Sequence, residues 1–296
     1  AEQAEADRSG LIDVTVRGHG LAPGWHEVRI EIEDGEPVDA PVLVVGSSQS
    51  FGIVCDIDDT ILSTSLPRPL VAGWNTFVKT EATRRPVPGM APLLRRLIDD
   101  HPGAPLVFVS TGAWNTAPLL GRFLRRNGFP IGPMLLTDWG PTSTGWFRSG
   151  REHKQACLHR LARELPHISW VLVGDDGQHD PTIYAEFAAQ RPDAVRLIAL
   201  RELTAAQQAL SHVIPVATDG HTGQRAIRDV PVVRGVDGYA LLPEVLQALD
   251  DTPAGTPAAR VEDELSRTGG RSADGSSVDG FSADEDGDTF LERADA

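Results

Sequence analysis

The sequence predicts an α/β chain: a parallel sheet flanked by helices, with a small β-rich extension before it and a disordered tail after it. Three observations lead there. Phe51-Gly-Ile-Val-Cys55 is a short, continuous apolar run, as a strand covered on both faces requires. The same kind of run recurs at Leu106-Val-Phe-Val109 and Trp170-Val-Leu-Val-Gly174. Between them apolar residues return at helical spacing, as at Ala156, Leu158, Leu161, Ala162 and Leu165. Alternation of the two periodicities is what βα units stacked on a parallel sheet produce.

Taken in order, residues 11–17, 26–33 and 41–46 alternate apolar and polar positions around Gly and Pro turns, which predicts a small antiparallel sheet. Residues 1–50 therefore read as a β-rich extension, the remnant of a truncated β-sandwich. Residues 51–250 form the main domain, with strands near 52, 105, 133, 169, 195 and 231 and helices near 90, 115, 152, 182, 203 and 238. Residues 251–296 are Gly, Ser, Pro, Asp and Glu with few apolar side chains, and are expected to be disordered. The run Asp284-Glu-Asp-Gly-Asp288 lacks the ligand spacing of a calcium loop and reads as a solvated acidic tail.

The net charge of −15 resolves into regions. Residues 1–50 hold 3 Arg against 10 acids and residues 251–296 hold 4 Arg against 12, so the ends carry the whole excess. Residues 60–165 are instead basic, with 14 Lys and Arg against 6 acids, which suits an anionic substrate or an anionic membrane surface. No aromatic interleaving or groove-reading motif points to nucleic acid. No apolar run approaches the roughly 20 residues of a membrane span. The two cysteines, Cys55 and Cys157, fall in apolar patterns, so a disulfide scaffold is not expected and a reducing compartment, the cytoplasm, is. Peripheral contact with a membrane is compatible with all of this. The sequence does not begin with Met, which is what a piece of a longer chain would show.

The chemistry concentrates where the strands end. In doubly wound sheets ligands bind beyond the carboxyl ends of the strands, and Asp56, Ser110 and Asp175 all fall there. Asp56 and Asp58 share a side of the extended chain. Like charges that close raise one another's pKa, and a fold tolerates them mainly where a cation or a proton transfer uses them. Lys154 opens the helix that follows. It is one of only two lysines beside 25 arginines, a sign that a compact ammonium is wanted.

The order Asp56-Ile-Asp-Asp-Thr60, then Ser110, then Lys154, then Gly174-Asp with further acids resembles the haloacid dehalogenase-type phosphohydrolases. More narrowly, the Leu135-Leu-Thr-Asp-Trp-Gly140 segment, the run from Trp146 to Lys154 and the run from Gly174 to Pro181 resemble the catalytic domain of the actin-patch-protein type of phosphatidate phosphatase. The likeness covers about residues 41–204. Asp176 departs from it, standing where a small hydroxyl residue is expected, and leaves open which acid of that loop binds metal.

What the resemblance implies is a Mg²⁺-dependent phosphatase acting through an aspartyl-phosphate, with phosphatidate converted to diacylglycerol, or a related lipid phosphate, as substrate. Asp56 is the expected nucleophile and Asp58 the general acid and base. Mg²⁺ is expected on Asp56, the backbone carbonyl of Asp58, and Asp175. Ser110 and Lys154, with Thr111 and Gly112, would hold the phosphate oxygens. Thr60 would brace the turn after the nucleophile, and Asp176 and Asp180 would stand behind the ligands. Asp180, followed by Pro181, also has the form of a helix N-cap. Asp59, His153 and His179 have no forced role. A phosphatase for a soluble phosphomonoester such as a sugar phosphate or nucleotide remains an alternative, as does a non-catalytic interaction module. Residues 62–88 carry Trp74 and Phe77 among cations, and are expected over the mouth of the site, either docking to an anionic bilayer or closing as a lid.

Overall fold

A computed structural model describes residues 3–7, 10–33, 35–64, 84–137, 150–177, 179–204, 207 and 230–252. The predicted alternation of strands and helices is present. After a two-stranded antiparallel ribbon, β1 (Gly24–Ile30) and β2 (Val38–Val44), comes β3 (Phe51–Asp56), buried at every position. A short antiparallel hairpin of β4 (Leu62–Thr64) and β5 (Arg84–Pro86) leads to helix α1 (Met90–Asp100) and strand β6 (Leu106–Ala113). A 3-10 turn then enters α2 (Ala117–Arg126), followed by β7 (Met134–Thr137), α3 (Gly150–Glu164) and β8 (Ser169–Asp175). The remaining described elements are α4 (Asp180–Gln190), β9 (Val195–Arg201), β10 (Val232–Gly235) and α5 (Gly238–Asp251).

Six strands form one sheet in the order β10-β9-β8-β3-β6-β7, and every pairing in it is parallel. Parallel neighbours force crossovers, and the helices supplying them cover both faces. Met90, Leu93, Leu94 and Leu97 of α1, Leu120 and Leu124 of α2 and Leu241 and Val245 of α5 pack on one face. Cys157, Leu158 and Leu161 of α3 and Ile183, Tyr184 and Phe187 of α4 pack on the other. Both cysteines are buried and free, as expected. Each fully buried Leu, Ile or Phe contributes roughly 1.5–3 kcal/mol, so Leu94→Ala at the centre of α1 costs about 2–5 kcal/mol once its cavity is counted.

Two glycines allow α1 and α5 to meet backbone to backbone. A Cβ on Gly238 would lie 2.1 Å from the carbonyl carbon of Gly89, which has φ +74. The Gly238 N–H also donates to Pro88 O (2.9 Å), so the strand leaving the β4-β5 hairpin is fastened to the start of α5.

Three expectations change. Residues 11–17 form no strand: Ile12, Val14 and Val16 stay about half exposed, and among the described residues no strand pairs with them to take up their backbone groups. The ribbon strands lie a few residues earlier than the alternation suggested, since Gly24 and the turn near Gly35 set the register. Asp180 is not a cap. It lies within the first turn of α4, His179 precedes it at the capping position and makes no side-chain capping bond, and the Asp180 carboxylate is engaged elsewhere. All but the first two residues of the tail expected at 251–296, the loop bearing Trp74 and Phe77, and most of the helix expected near 203 lie outside the described residues; Asp251 instead ends α5.

Candidate active site

The site lies at the carboxyl ends of β3, β6, β8 and β9. Asp56 is the last residue of the central strand and is 1% exposed. Thr60 Oγ1 donates to its Oδ2 at 3.0 Å, so the hydroxyl four residues on braces the acid. Lys154 Nζ stands 2.6 Å from Oδ1 of Asp56 and 2.5 Å from Oδ1 of Asp180. It reaches there from the N-terminal part of α3, which begins at Gly150.

Asp58 is half buried, and its Oδ2 accepts from Ser110 Oγ at 2.7 Å. The same Ser110 oxygen accepts from the Gly112 N–H at 2.9 Å. Ser110 thus spans from β6 to the loop after β3, a task the sequence did not suggest. Thr111 and Gly112 continue the strand, and the Thr137 hydroxyl at the end of β7 donates to the carbonyls of Thr111 (2.9 Å) and Gly112 (3.2 Å). This fixes the turn that presents Ser110.

Asp175 ends β8, and its Oδ1 accepts from the Gly177 N–H at 2.7 Å. Its own N–H donates to Asp180 Oδ2 at 3.4 Å. Gly174 makes room for this arrangement, since a Cβ there would lie 2.5 Å from Asp180 Oδ2. Asp176 faces away: its N–H donates to Arg201 O (2.9 Å) and its Oδ1 accepts from the Leu203 N–H (2.8 Å). It joins the loop after β8 to the chain after β9, while Asp180 takes the place beside Asp175.

Carboxylate oxygens of Asp56, Asp175 and Asp180 all come within 4.8 Å of one another, and all three residues are buried. Burial, only partly countered by Lys154 and reinforced by Asp180, Asp175 and Asp58, holds the Asp56 carboxyl well above the usual range. Burial and Asp180 push Asp175 up to about 7. Burial opposes the charge of Lys154, but Asp180, Asp56 and Asp175 outweigh it and raise the ammonium above its ordinary value. Three buried acids therefore share one buried ammonium. Oδ1 of Asp56, although beside that ammonium, receives no well-aligned hydrogen. Oxygen donors in excess of nearby cationic charge suit a hard divalent cation.

Two further residues complete the surroundings. Tyr184 Oη donates to Val173 O at 3.2 Å, closing the floor beneath Asp180. Arg201, 6% exposed at the end of β9, donates through Nη1 to Asp59 O at 2.5 Å. Neither was foreseen. For Arg201 a signal existed: a cation directly after the apolar run Leu197-Ile-Ala-Leu200 stands where Asp56 and Asp175 stand after theirs.

Residues 51–202 match the family described as phosphatidate phosphatase APP1, catalytic domain. The chain belongs to this family. The match begins at the first residue of β3 and runs one residue past β9, so it takes in every site residue described above. Two relatives carry the likeness into curated proteins. An uncharacterised protein of Schizosaccharomyces pombe is 28% identical over 167 residues, 56% of this chain. Phosphatidate phosphatase APP1 of Saccharomyces cerevisiae is 26% identical over 156 residues, 52% of this chain. The aligned parts are 27% and 26% of those proteins, so the chain spans about a quarter of the length of the curated relatives it matches.

Proposed function

We propose that this catalytic domain is a Mg²⁺-dependent phosphatase of the haloacid dehalogenase type, hydrolysing phosphatidate to diacylglycerol, or a related lipid phosphate, through an aspartyl-phosphate. The observation that carries the reading is a division of labour between two acids. Asp56 is gripped by Thr60 and Lys154 at the end of the central strand. Asp58, two residues on, is turned toward Ser110 and remains half exposed.

In this reading an oxygen of Asp56 attacks phosphorus and the P–O bond to the alcohol breaks. Asp58, protonated, delivers its proton to the departing alkoxide, a poor leaving group without it. Asp58 then takes a proton from water as that water attacks the phosphorus of the aspartyl-phosphate, releasing inorganic phosphate and restoring Asp56. Lys154, with Ser110 and the backbone at Thr111 and Gly112, holds the non-bridging oxygens. Asp180 keeps the ammonium of Lys154 aimed at Asp56.

The residues present fit a divalent metal, because three buried carboxylates exceed the single ammonium among them. Asp56, Asp175 and the Asp58 carbonyl would hold Mg²⁺. When bound, the ion supplies positive charge against the phosphoryl oxygens. The lipid part of the reading draws on the family's printed description. Among the described residues no helix is long and apolar enough to cross a membrane. Access to a lipid by peripheral contact from a cytoplasmic surface is part of the proposal, and the excess of cations over residues 60–165 would favour it at an anionic leaflet.

The test is phosphate release from short-chain phosphatidate, a sugar phosphate and an aryl phosphate, each with Mg²⁺ and with chelator. Release from phosphatidate that requires Mg²⁺ is expected. Release from the sugar phosphate alone would move the substrate to the soluble class. No release from any of the three would overturn the phosphatase reading.

A further inference from the structure

Arg201 is buried, and its guanidinium joins parts of the chain far apart in sequence. Nη1 donates to Asp59 O (2.5 Å), Nη2 to Gln207 Oε1 (3.2 Å) and Nε to Val236 O (3.4 Å). Its main chain is equally committed. Arg201 pairs with Asp175 across β8 and with Gly235 across β10, and its carbonyl accepts from the Asp176 N–H (2.9 Å). One residue therefore touches both acid-bearing loops, through its side chain at Asp59 and through its backbone at Asp175 and Asp176.

The peptide it grips is a demanding one. Asp59 has φ +58, the left-handed conformation that few residues bearing a Cβ adopt, Asp and Asn more readily than the rest. On one side of the Asp59–Thr60 peptide is Asp58. On the other is Thr60, whose hydroxyl braces Asp56. The Asp59 N–H donates to Leu62 O (2.8 Å), closing the turn from its other end. Gln207, besides accepting from Arg201, donates to Ser63 Oγ (3.4 Å) in β4, so the same network reaches the hairpin. Arg201 is therefore placed to hold the turn that aims Asp58 without meeting the substrate.

We propose that Arg201 is a positioning residue for proton delivery by Asp58: its fork fixes the left-handed Asp59 peptide, and through it the direction of the general acid. The proposal rests on the phosphatase reading, and specifically on Asp58 as the acid. A planar fork is needed because three acceptors lie in three directions. Lysine, a single point charge, cannot meet them together.

The test compares a short-chain phosphatidate, whose alkoxide must be protonated, with p-nitrophenyl phosphate, whose phenolate leaves unaided. Arg201→Lys is expected to lower kcat/KM on the alkyl substrate by about 100-fold, the scale of a misplacement of about 1 Å, while kcat/KM on the aryl substrate changes little, because kcat/KM reports phosphoryl transfer to Asp56 and not the later water step that Asp58 serves for both substrates. A merely structural role would lower both rates together through loss of folded protein, and equal losses on the two substrates, or none, would overturn the proposal. Asp58→Asn, measured alongside, must show the same alkyl-selective loss. If it does not, Asp58 is not the acid and both readings fall; if it does while Arg201→Lys does not, only the role of Arg201 falls. Should Arg201→Lys not fold, Gln207→Ala frees one arm of the fork from the half-buried edge, and is expected to lower the alkyl-to-aryl ratio in the same direction by a smaller factor. An unchanged ratio in Gln207→Ala would then overturn the proposal.

Discussion

Lys154 Nζ lies within 2.6 Å of both Asp56 Oδ1 and Asp180 Oδ1, so one ammonium bridges the end of the central strand and the first turn of α4. Its charge is held in place by acids on two elements, and those acids are buried at a cost that it offsets. Removing it should therefore act on stability and on rate at once. Lys154→Met leaves the carboxylates facing one another and is expected to cost about 3–5 kcal/mol of stability, the scale for breaking a buried ion pair. Adding Asp180→Asn should recover part of the thermal midpoint and none of the activity. A double variant with restored turnover would show that Lys154 serves the fold alone.

Asp56→Asn keeps the shape of the nucleophile and its ability to accept from Thr60, but the amide does not form the acyl phosphate. Turnover is expected to fall by at least about 10⁴-fold, since groups that act as a unit fail together. Far-UV circular dichroism should be unchanged. Comparable phosphate release from variant and parent would remove Asp56 from the mechanism.

The raised carboxyl of Asp175, at about 7, carries a defined pH signature in metal-free protein. An unfolded aspartate titrates near 4, so between about pH 4 and 7 the folded state holds a proton the unfolded state has released. The resulting stability is present below the unfolded value and is lost as pH rises through the folded one. The chelated protein should melt at a lower temperature at pH 8 than at pH 6. Asp175→Asn should shrink that difference, and saturating Mg²⁺ should do so too. An undiminished difference in the variant would show that other groups set it.

Exhaustive chelation should abolish phosphate release, Mg²⁺ should restore it and Ca²⁺ should not, because the smaller ion suits an octahedral site at a phosphoryl group. Full activity after chelator treatment would exclude the metal. Asp176→Asn gives an internal control. It alters an acid that serves the Leu203 N–H and faces away from the cluster, so it should leave Mg²⁺ affinity nearly unchanged.

Trp74→Ala combined with Phe77→Ala addresses substrate presentation. If these side chains meet a bilayer, hydrolysis of phosphatidate in vesicles is lost while a short, water-soluble phosphomonoester is still cleaved. Equal loss on both substrates would identify a lid.

Much of this was legible because parallel sheets leave a strong imprint. A strand covered on both faces must be apolar throughout and must shed its polarity at its end, so β3, β6 and β8 announced both themselves and Asp56, Ser110 and Asp175. The helices α3 and α4 followed from 3.6-residue spacing. Exposed β structure left a weaker imprint: the alternation at 11–17 is equally compatible with a solvated segment, since nothing local supplies a partner. Asp180 was read both as a cap and as an acid behind the ligands, because Asp-Pro has the same appearance whether the carboxylate turns back to its own helix or outward to Lys154. Arg201 was passed over for another reason, although its place directly after an apolar run marked it. Its partner Asp59 is 142 positions away, and only the adjacency of β9 and β8 beside β3 brings them together.

The β4-β5 hairpin pairs Leu62 with Pro86 and Thr64 with Arg84, so the chain leaves the catalytic bed at 64 and re-enters it at 84 one strand-spacing away. Gly238 fastens one leg and Gln207 the other. Whatever is carried between those two positions has only to close a gap that is already small, and doubling its length adds just about 0.6 kcal/mol of closure entropy. The hairpin is in effect a socket. Insertions of different size and chemistry can be exchanged on it without moving Asp56 or Asp58, and a lineage can retarget such an enzyme from one phosphate ester to another while the bond-breaking machinery stays as it is.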